Sequence, residues 1–306
     1  MDFYMLLTFV FIVVCLLVFN SKTKKVKVVS DIIYYPVKSC AGIHLLEAEI
    51  SDLGLKRDRE WAVVDENKQV ISLREEPRLY RLQPKFEFGF ENEYKYLVLT
   101  YPKFPELKLP LDEMGGEEFE VELGKAAGRA VDIGPGASKW LSMVFEKPYS
   151  LVKIKKYRKI ERSKDEGNFE LGFADEAQVL VASEESYEKL CKYLPKSKSE
   201  EIPISNFRPN IIVKNCEPFD EDNWKVFEIN GVVFQGVEMC YRCRATTVNF
   251  SSAEMDKQQE PLKTLRKVHG KGVKAYFGLW AVKKNKGSIH VKDKVNVVSR
   301  EVRNSN

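Results

Sequence analysis

The chain has 306 residues, of which 44% are hydrophobic and 31% are charged, and this balance excludes a disordered tail, a collagen-like repeat and a polytopic membrane protein. The 49 Lys and Arg residues against 45 Asp and Glu residues give a formal charge of +4, too balanced for a dedicated nucleic-acid-binding protein. The length predicts about two domains, each large enough to bury its own core.

The first predicted element is an apolar segment over residues 3–19, which contains no charged residue. As a helix it would extend about 25 Å, near the lower limit for crossing a bilayer. A cleaved signal peptide is the alternative, but an acidic residue, Asp2, precedes the segment and four lysines follow it. The positive-inside rule then places the rest of the chain in the cytosol. The sequence therefore predicts a transmembrane signal anchor over residues 1–20 and a basic juxtamembrane segment over residues 21–27.

Residues 28–160 consist mainly of short alternating segments, which predict the strands of a β-barrel or sandwich. A Gly-Pro-Gly turn at residues 134–136 leads into a short predicted helix. The polar stretch over residues 161–168 predicts a boundary with a second domain over residues 161–300, and residues 301–306 form a tail.

The second half mixes helices with strands. Ser183, followed by two glutamates, predicts the start of a helix. The Asn230-Gly231 pair between two strand-like segments predicts a hairpin. Pro261 and Gly270 are placed as at the start and just past the end of another helix. The predicted fold class is α+β and β-rich, without alternating βαβ units.

Histidine and cysteine content limits the metal and disulfide chemistry of the chain. There are three histidines, which argue against a histidine-rich metal cage, and six cysteines, which are too few for a disulfide scaffold. We therefore expect a reducing compartment.

The Cys240-Tyr241-Arg242-Cys243 motif carries the strongest chemical signal. A zinc ribbon would need a second CxxC or a His pair, and the sequence has neither. A thioredoxin motif would need a helix after the first cysteine, whereas the β-branched residues that follow Cys243 resist one. Two interpretations stay open. The cysteines are half-buried residues of a strand, or one of them is a working thiolate beside Arg242, suited to a soft or redox-active metal.

Basic residues recur at the ends of predicted strands, next to short polar side chains. They are Lys38 with Ser39, Arg57 and Arg59, Arg74 and Arg78, and Arg208 with Asn210. Each cation alone is explained by a solvated surface charge. Together they predict an anionic cofactor, because Arg contacts phosphate in a bidentate manner and Ser or Asn adds hydrogen bonds. No Walker A or GxGxxG loop is present, which disfavours ATP and dinucleotides.

These segments, in this order, resemble the mitochondrial amidoxime-reducing component family. The motifs are YPVKSCAG, GLKRDREW, SLREEPRL, FRPNIIV, CYRCRATTV and EPLKTL, spread over nearly the whole chain after residue 27. The resemblance implies a MOSC N-terminal β-barrel domain and a MOSC β-barrel domain with flanking helices, preceded by the transmembrane helix. It also implies a location in the mitochondrial outer membrane, with the soluble part facing the cytosol.

The resemblance further implies a molybdenum cofactor, in which one molybdenum is carried by molybdopterin. The second cysteine of the family's motif ligates the metal and corresponds to Cys243, which makes Cys240 a neighbour. The cofactor contacts implied by the matching motifs are Lys38, Ser39, Arg59, Asp175, Arg208, Asn210, Tyr241 and Arg242. Relatives often have Ser in place of Tyr241 and Thr in place of Glu176, and both departures bear on pocket shape and substrate range.

The implied function is reduction of N-hydroxylated compounds, namely amidoximes, N-hydroxyguanidines and hydroxamic acids. Electrons are expected from NADH through NADH-cytochrome b5 reductase and cytochrome b5, in agreement with the lack of a nucleotide fingerprint in the chain. Two other classes stay open. One is a MOSC-type carrier of molybdenum cofactor or sulfur without reductase turnover. The other is a non-catalytic, membrane-tethered binding module.

Overall fold

The computed structural model describes residues 25–88, 94–111, 115–123, 126–161 and 167–303. Strands dominate, and short helices connect them. In the first half the strands are β1 (Val28–Tyr34), β2 (Ile43–Leu45), β3 (Glu47–Ser51), β4 (Gly54–Leu55), β5 (Trp61–Val64), β6 (Gln83–Phe88), β7 (Tyr94–Thr100), β8 (Leu107–Pro110), β9 (Glu118–Leu123), β10 (Ala126–Asp132), β11 (Ser150–Lys156) and β12 (Arg158–Ile160).

In the second half the strands are β13 (Phe169–Leu171), β14 (Val179–Ser183), β15 (Ile211–Lys214), β16 (Trp224–Ile229), β17 (Val232–Tyr241), β18 (Val248–Asn249), β19 (Glu254–Met255), β20 (Gly270–Lys271), β21 (Lys274–Lys283), β22 (Gly287–His290) and β23 (Val295–Arg300). The α-helices are α1 (Pro135–Phe145), α2 (Glu184–Cys191), α3 (Lys196–Ser199) and α4 (Leu262–His269). Single-turn 3-10 helices cover Pro77–Arg81, Ile204–Phe207, Asp220–Asn223 and Arg244–Thr247.

The largest sheet joins the two halves of the sequence. Its strand order is β2-β1-β15-β14-β21-β17-β16-β23, with β20 added on β21. Only the β14–β15 pair among these is parallel. One face buries Trp224, Phe227, Phe234 and Leu279 in a continuous core. Burial of each such side chain contributes about 1.5–3 kcal/mol, so this core fixes the sheet that carries the site.

A second core lies in the first half, between two smaller sheets and a helix. The sheets have the orders β5-β11-β10-β9 and β6-β7-β8. Trp61, Leu97, Trp140 and Phe145 meet in this core. Helix α1 begins directly after Gly134, whose φ of 113° lies in the left-handed region that favours glycine.

Three local predictions are confirmed by the structure. Asn230 and Gly231 join β16 to β17 with φ angles of 49° and 78°, as a type I′ hairpin requires. The Ser183 Oγ accepts a hydrogen bond from the Ser186 amide and caps α2. Helix α4 ends where predicted, with Gly270 as its C-cap residue.

The predicted fold class needs one correction. Its α+β, β-rich part agrees with the structure, but its transmembrane helix is not supported, because none of the helices that the structure describes is long and apolar enough to cross a membrane. The longest of those helices, α1, has 11 residues, whereas a bilayer requires about 20. Residues 1–20, to which the anchor is assigned, lie outside the described residues. So do residues 21–24, 162–166 and 304–306, which belong to the predicted juxtamembrane segment, domain boundary and tail.

Candidate functional site

A cleft of about 310 Å³ brings the predicted contacts together. All nine predicted site residues line it, namely Lys38, Ser39, Arg59, Asp175, Arg208, Asn210, Tyr241, Arg242 and Cys243. Five cations line it in total, because Arg74 joins Lys38, Arg59, Arg208 and Arg242, against the two carboxylates of Asp175 and Glu176. This excess of positive charge suits an anionic ligand.

Lys38 and Asp175 form an ion pair across the cleft. The Lys38 Nζ donates to the Asp175 carboxylate at 2.5 Å and to the Phe173 carbonyl at 3.0 Å. Burial lowers the pKa of Lys38, and Asp175 opposes that shift. Desolvation raises the pKa of Asp175, but Lys38, Arg59 and Arg74 together lower it by more, to about 2. Asp175 is therefore ionised at neutral pH, with 69% of its side chain exposed.

Arg59 and Asn210 connect two turns by hydrogen bonds at the floor of the cleft, which is the side formed by Lys38, Arg59 and Arg208. The Arg59 Nη1 donates to the Asp58 carboxylate at 2.5 Å and to the Asn210 Oδ1 at 2.9 Å. Asn210 is buried, and its Nδ2 donates to the Ile33 carbonyl and to the Asp58 carboxylate, each at 3.1 Å. These contacts hold the end of β1 against the turn that precedes β15.

Arg208 lies beside Arg59, and both guanidinium groups lie over the ring of Tyr35. The Tyr35 ring lies 4.1 Å from the Arg208 guanidinium and 4.5 Å from that of Arg59. The Arg208 Nη1 donates to the Cys40 carbonyl at 2.7 Å, whereas its Nη2 is buried without a partner. Burial and the neighbouring Arg59 lower the pKa of Arg208.

Arg242 secures the chain just before Cys243. Its Nη1 donates to the Cys240 sulfur at 2.6 Å and its Nη2 to the Phe207 carbonyl at 2.7 Å. Its Nε is buried without a partner. Cys240 lies in β17 and is 2% exposed, and burial raises the pKa of its thiol to about 11. Cys240 is thus a neutral thiol at neutral pH.

Cys243 is exposed, and together with Tyr241 it forms the rim of the cleft, which we call its lip. No α-helix follows it; instead the Arg244–Thr247 3-10 turn leads into β18. The Cys243 carbonyl accepts hydrogen bonds from the Thr246 amide at 3.1 Å and the Thr246 hydroxyl at 2.9 Å. Both cysteines line the cleft, but their environments differ, because Cys243 is exposed whereas Cys240 is buried.

Tyr241 forms part of the same lip and is 47% exposed. Its ring meets the Trp280 ring edge-on at 5.6 Å, and the Lys274 Nζ lies 5.7 Å from its centre. Burial raises the pKa of Tyr241, so the phenol keeps its proton at neutral pH. Glu176 lines the same cleft.

Sequence reasoning missed two residues that build the site. Arg158 is 1% exposed. Its guanidinium donates to the carbonyls of Leu123, Gly172 and Ala174. These hydrogen bonds position the segment that leads into Asp175. Asn206 lines the cleft and donates to the backbone that follows Cys243. Neither residue has a local signal, because the partners lie 14 to 42 positions away.

The cleft fits an anionic cofactor that brings its own metal ligands. Among the residues that the structure describes, no group of three or more His, Cys, Asp and Glu could hold a metal, so a metal at Cys243 would need other ligands. The Arg208 Nη2 and the Arg242 Nε are buried donors without partners. Each such donor costs about 1–3 kcal/mol, and an anion in the cleft would relieve that cost.

Comparison with known proteins gives matches along most of the chain. Residues 26–148 match the MOSC N-terminal beta barrel domain, and residues 168–296 match the MOSC domain. The Xenopus laevis protein named mitochondrial amidoxime-reducing component 1 is 32% identical over 79% of this chain and 71% of its own. Its human namesake is 30% identical over 89% of this chain and 83% of its own. A Bos taurus molybdenum cofactor sulfurase is 29% identical over 72% of this chain but only 27% of its own.

Proposed function

The chain belongs to the mitochondrial amidoxime-reducing component family, and from this premise we propose that it is a molybdenum-cofactor-dependent reductase of N-hydroxylated compounds. The names of its relatives and its MOSC domain support a molybdenum-related function. The observation that carries the proposal is the exposed Cys243 at the lip of a cleft with two buried, unpartnered guanidinium nitrogens.

The side chains of the cleft have distinct roles in this proposal. The Cys243 sulfur is the metal ligand, and the cations that line the cleft hold the anionic part of the cofactor. The cofactor contacts are Lys38, Ser39, Arg59, Asp175, Arg208, Asn210, Tyr241 and Arg242. When bound, the cofactor supplies a metal centre that delivers two electrons to the substrate. The protein supplies the orientation of that centre and the charge around it.

The net reaction converts an amidoxime, two electrons and two protons into an amidine and water. Asp175 does not supply a proton, because its pKa of about 2 keeps it ionised. The Tyr241 phenol retains its proton at the cleft lip, where it can donate a hydrogen bond to the substrate. Cys240 stays protonated and buried, which leaves a single thiolate for the metal.

The proposal includes an external source of electrons. The sequence has no dinucleotide-binding fingerprint, which supports delivery from NADH through NADH-cytochrome b5 reductase and cytochrome b5. The relatives' names support a mitochondrial location. The outer-membrane anchor predicted from the first residues is not part of this proposal.

The test is product formation by the purified protein after expression in a host that makes molybdopterin. An amidoxime, an N-hydroxyguanidine and a hydroxamic acid are supplied first with a chemical reductant under anaerobic conditions. They are then supplied with NADH, NADH-cytochrome b5 reductase and cytochrome b5. We expect reduced product under both conditions. Absence of product from all three substrates under both conditions would contradict the reductase, and turnover with the chemical reductant alone would remove only the proposed electron donors.

A carrier of molybdenum cofactor or sulfur is the second candidate function. The exposure of Cys243 favours it, because an accessible cysteine sulfur can hold and release a group. The carrier predicts cofactor that exchanges freely with an acceptor protein and no turnover of N-hydroxylated substrates. The substrate assay therefore separates the two functions.

A further inference from the structure

We propose that Asn206, fixed by Tyr80, is a positioning residue for the Cys243 turn, which we define as residues 243–248. The inference rests on the proposed function, since it assigns Asn206 and Tyr80 to the geometry of the metal ligand. It gives the first half of the chain a part in the site beyond its contribution of cofactor contacts.

Asn206 holds the C-terminal part of the Cys243 turn. Its Nδ2 donates to the Thr246 carbonyl and to the Val248 carbonyl, each at 3.0 Å. The same Thr246 donates twice to the Cys243 carbonyl, through its amide and its hydroxyl. Two successive hydrogen-bonded links therefore connect the Asn206 side chain to the backbone of Cys243.

Phe207, which follows Asn206, contacts Arg242, the residue directly before Cys243. The Phe207 carbonyl accepts from the Arg242 Nη2 at 2.7 Å. Asn206 and Phe207 lie at the end of one 3-10 turn, and both are buried. One buried segment thus contacts the Arg242 side chain before Cys243 and the Thr246 and Val248 carbonyls after it.

Tyr80 sets the orientation of the Asn206 amide. The Tyr80 hydroxyl donates to the Asn206 Oδ1 at 2.7 Å, which directs the Nδ2 toward the Cys243 turn. Both side chains are 6% exposed, and burial raises the pKa of Tyr80, so the phenol remains a donor at neutral pH. Tyr80 belongs to the core of the first half, so this contact links that core to the metal ligand.

The need for such support follows from the exposure of Cys243. An exposed side chain is not fixed by packing, and its position depends on the backbone that carries it. A metal ligand must stay within roughly 0.5 Å of its productive position. Loss of an outer residue that orients a ligand typically costs about 10–100-fold in metal affinity or activity.

The experiment compares the holoenzyme with Asn206→Ala, Tyr80→Phe and Tyr149→Phe. Tyr149→Phe is the matched control, because Tyr149 is buried in the same core as Tyr80 but its ring packs on Phe145. The readouts are amide hydrogen exchange in residues 243–248, molybdenum bound per chain after gel filtration, and the linewidth of the paramagnetic resonance signal of the partly reduced metal.

In Asn206→Ala we expect exchange about tenfold faster in the Cys243 turn, less retained molybdenum, a broader resonance signal, and a lower kcat with KM near the wild-type value. Tyr80→Phe should shift the same readouts in the same direction by less, and Tyr149→Phe should match the wild type. Wild-type exchange in the Cys243 turn of both Asn206→Ala and Tyr80→Phe would overturn the inference.

Two further outcomes are covered by the design. If Asn206→Ala does not fold, the comparison of Tyr80→Phe with Tyr149→Phe decides the question. If the wild type holds no molybdenum, the proposed function fails, but the exchange rates still show whether Asn206 and Tyr80 restrain the Cys243 turn.

Discussion

The floor and the lip of the cleft are built in opposite ways. On the floor, Lys38, Arg59 and Arg208 each donate to fixed protein acceptors, and both guanidinium groups lie over the Tyr35 ring. At the lip, Tyr241 and Cys243 are exposed and are placed mainly by the backbone that carries them. The floor is thus organised before a ligand arrives, whereas the lip remains accessible to one.

Backbone conformation marks the same difference. Ser39, Arg59 and Arg208 have φ angles of 69°, 49° and 56°, a left-handed region that non-glycine residues seldom occupy. Each such residue costs on the order of 1 kcal/mol and persists only where its surroundings fix it. Such positions occur elsewhere in the chain as well, but at the cleft they lie on the floor and not at Tyr241 or Cys243.

Cys243→Ala breaks the lip and should have the largest effect. Because Cys243 is exposed, we expect the melting temperature to change little while reductase activity falls to background. Activity assays and thermal unfolding of the same preparation test this. Substantial N-reductive activity in the variant would mean that Cys243 is not the metal ligand.

Arg208→Leu breaks the floor. We expect the cofactor to dissociate about 10–100-fold more readily, because a charge-assisted contact to an anion is worth about 1.5–3 kcal/mol. Stability of the cofactor-free protein should change by no more than about 1 kcal/mol, since the variant also removes repulsion between Arg208 and Arg59.

The control for the floor is Arg57→Leu. Arg57 also has a positive φ, but it stacks on Tyr94 and does not line the cleft. Equal cofactor loss in Arg57→Leu and Arg208→Leu would show that Arg208 has no special place in binding.

Cys240→Ala sharpens the contrast between the two cysteines. The buried thiol contacts Arg242 but stays protonated, so we expect activity to fall by no more than about fivefold. Alkylation of the native, cofactor-free protein near neutral pH, followed by peptide mass spectrometry, should label Cys243 in preference to Cys240. Preferential labelling of Cys240 would reverse the assignment.

The smallest effect concerns the pH dependence of the Lys38–Asp175 pair. Because the pKa of Asp175 is lowered from 3.8 to about 2, the pair adds stability above the unfolded pKa, and this is lost as pH falls from about 4 to about 2. In Lys38→Met, an NMR titration should find the Asp175 pKa shifted up toward its ordinary value. An unchanged pKa would show that Lys38 does not set the charge of Asp175.

Local sequence signals predicted the cations of the floor but not the residues that hold the site in position. Lys38, Arg59 and Arg208 stand in turns next to strands, where residue type alone suggests anion binding. The Asn230-Gly231 hairpin was predictable for a similar reason, since the turn is defined by two adjacent residues. Such features need no knowledge of distant parts of the chain.

The residues that hold the site in position are brought together only by tertiary contacts. Tyr80 and Asn206 are 126 positions apart, and the strands β1 and β15 that pair with each other are still farther apart in the sequence, so neither contact has a sequence pattern of its own. The single turn after Cys243 escaped prediction because its β-branched residues favour a strand, while hydrogen bonds from Asn206 and within the turn hold it closed.

The central claim is that the cleft is a molybdenum cofactor site with Cys243 as ligand. The most direct test is molybdenum and pterin analysis of the purified protein from a host that makes molybdopterin, with Cys243→Ala prepared in parallel. We predict close to one molybdenum per chain, retained through gel filtration in the wild type and lost in the variant. A wild type with only traces of molybdenum, or a variant that retains as much as the wild type, would contradict it.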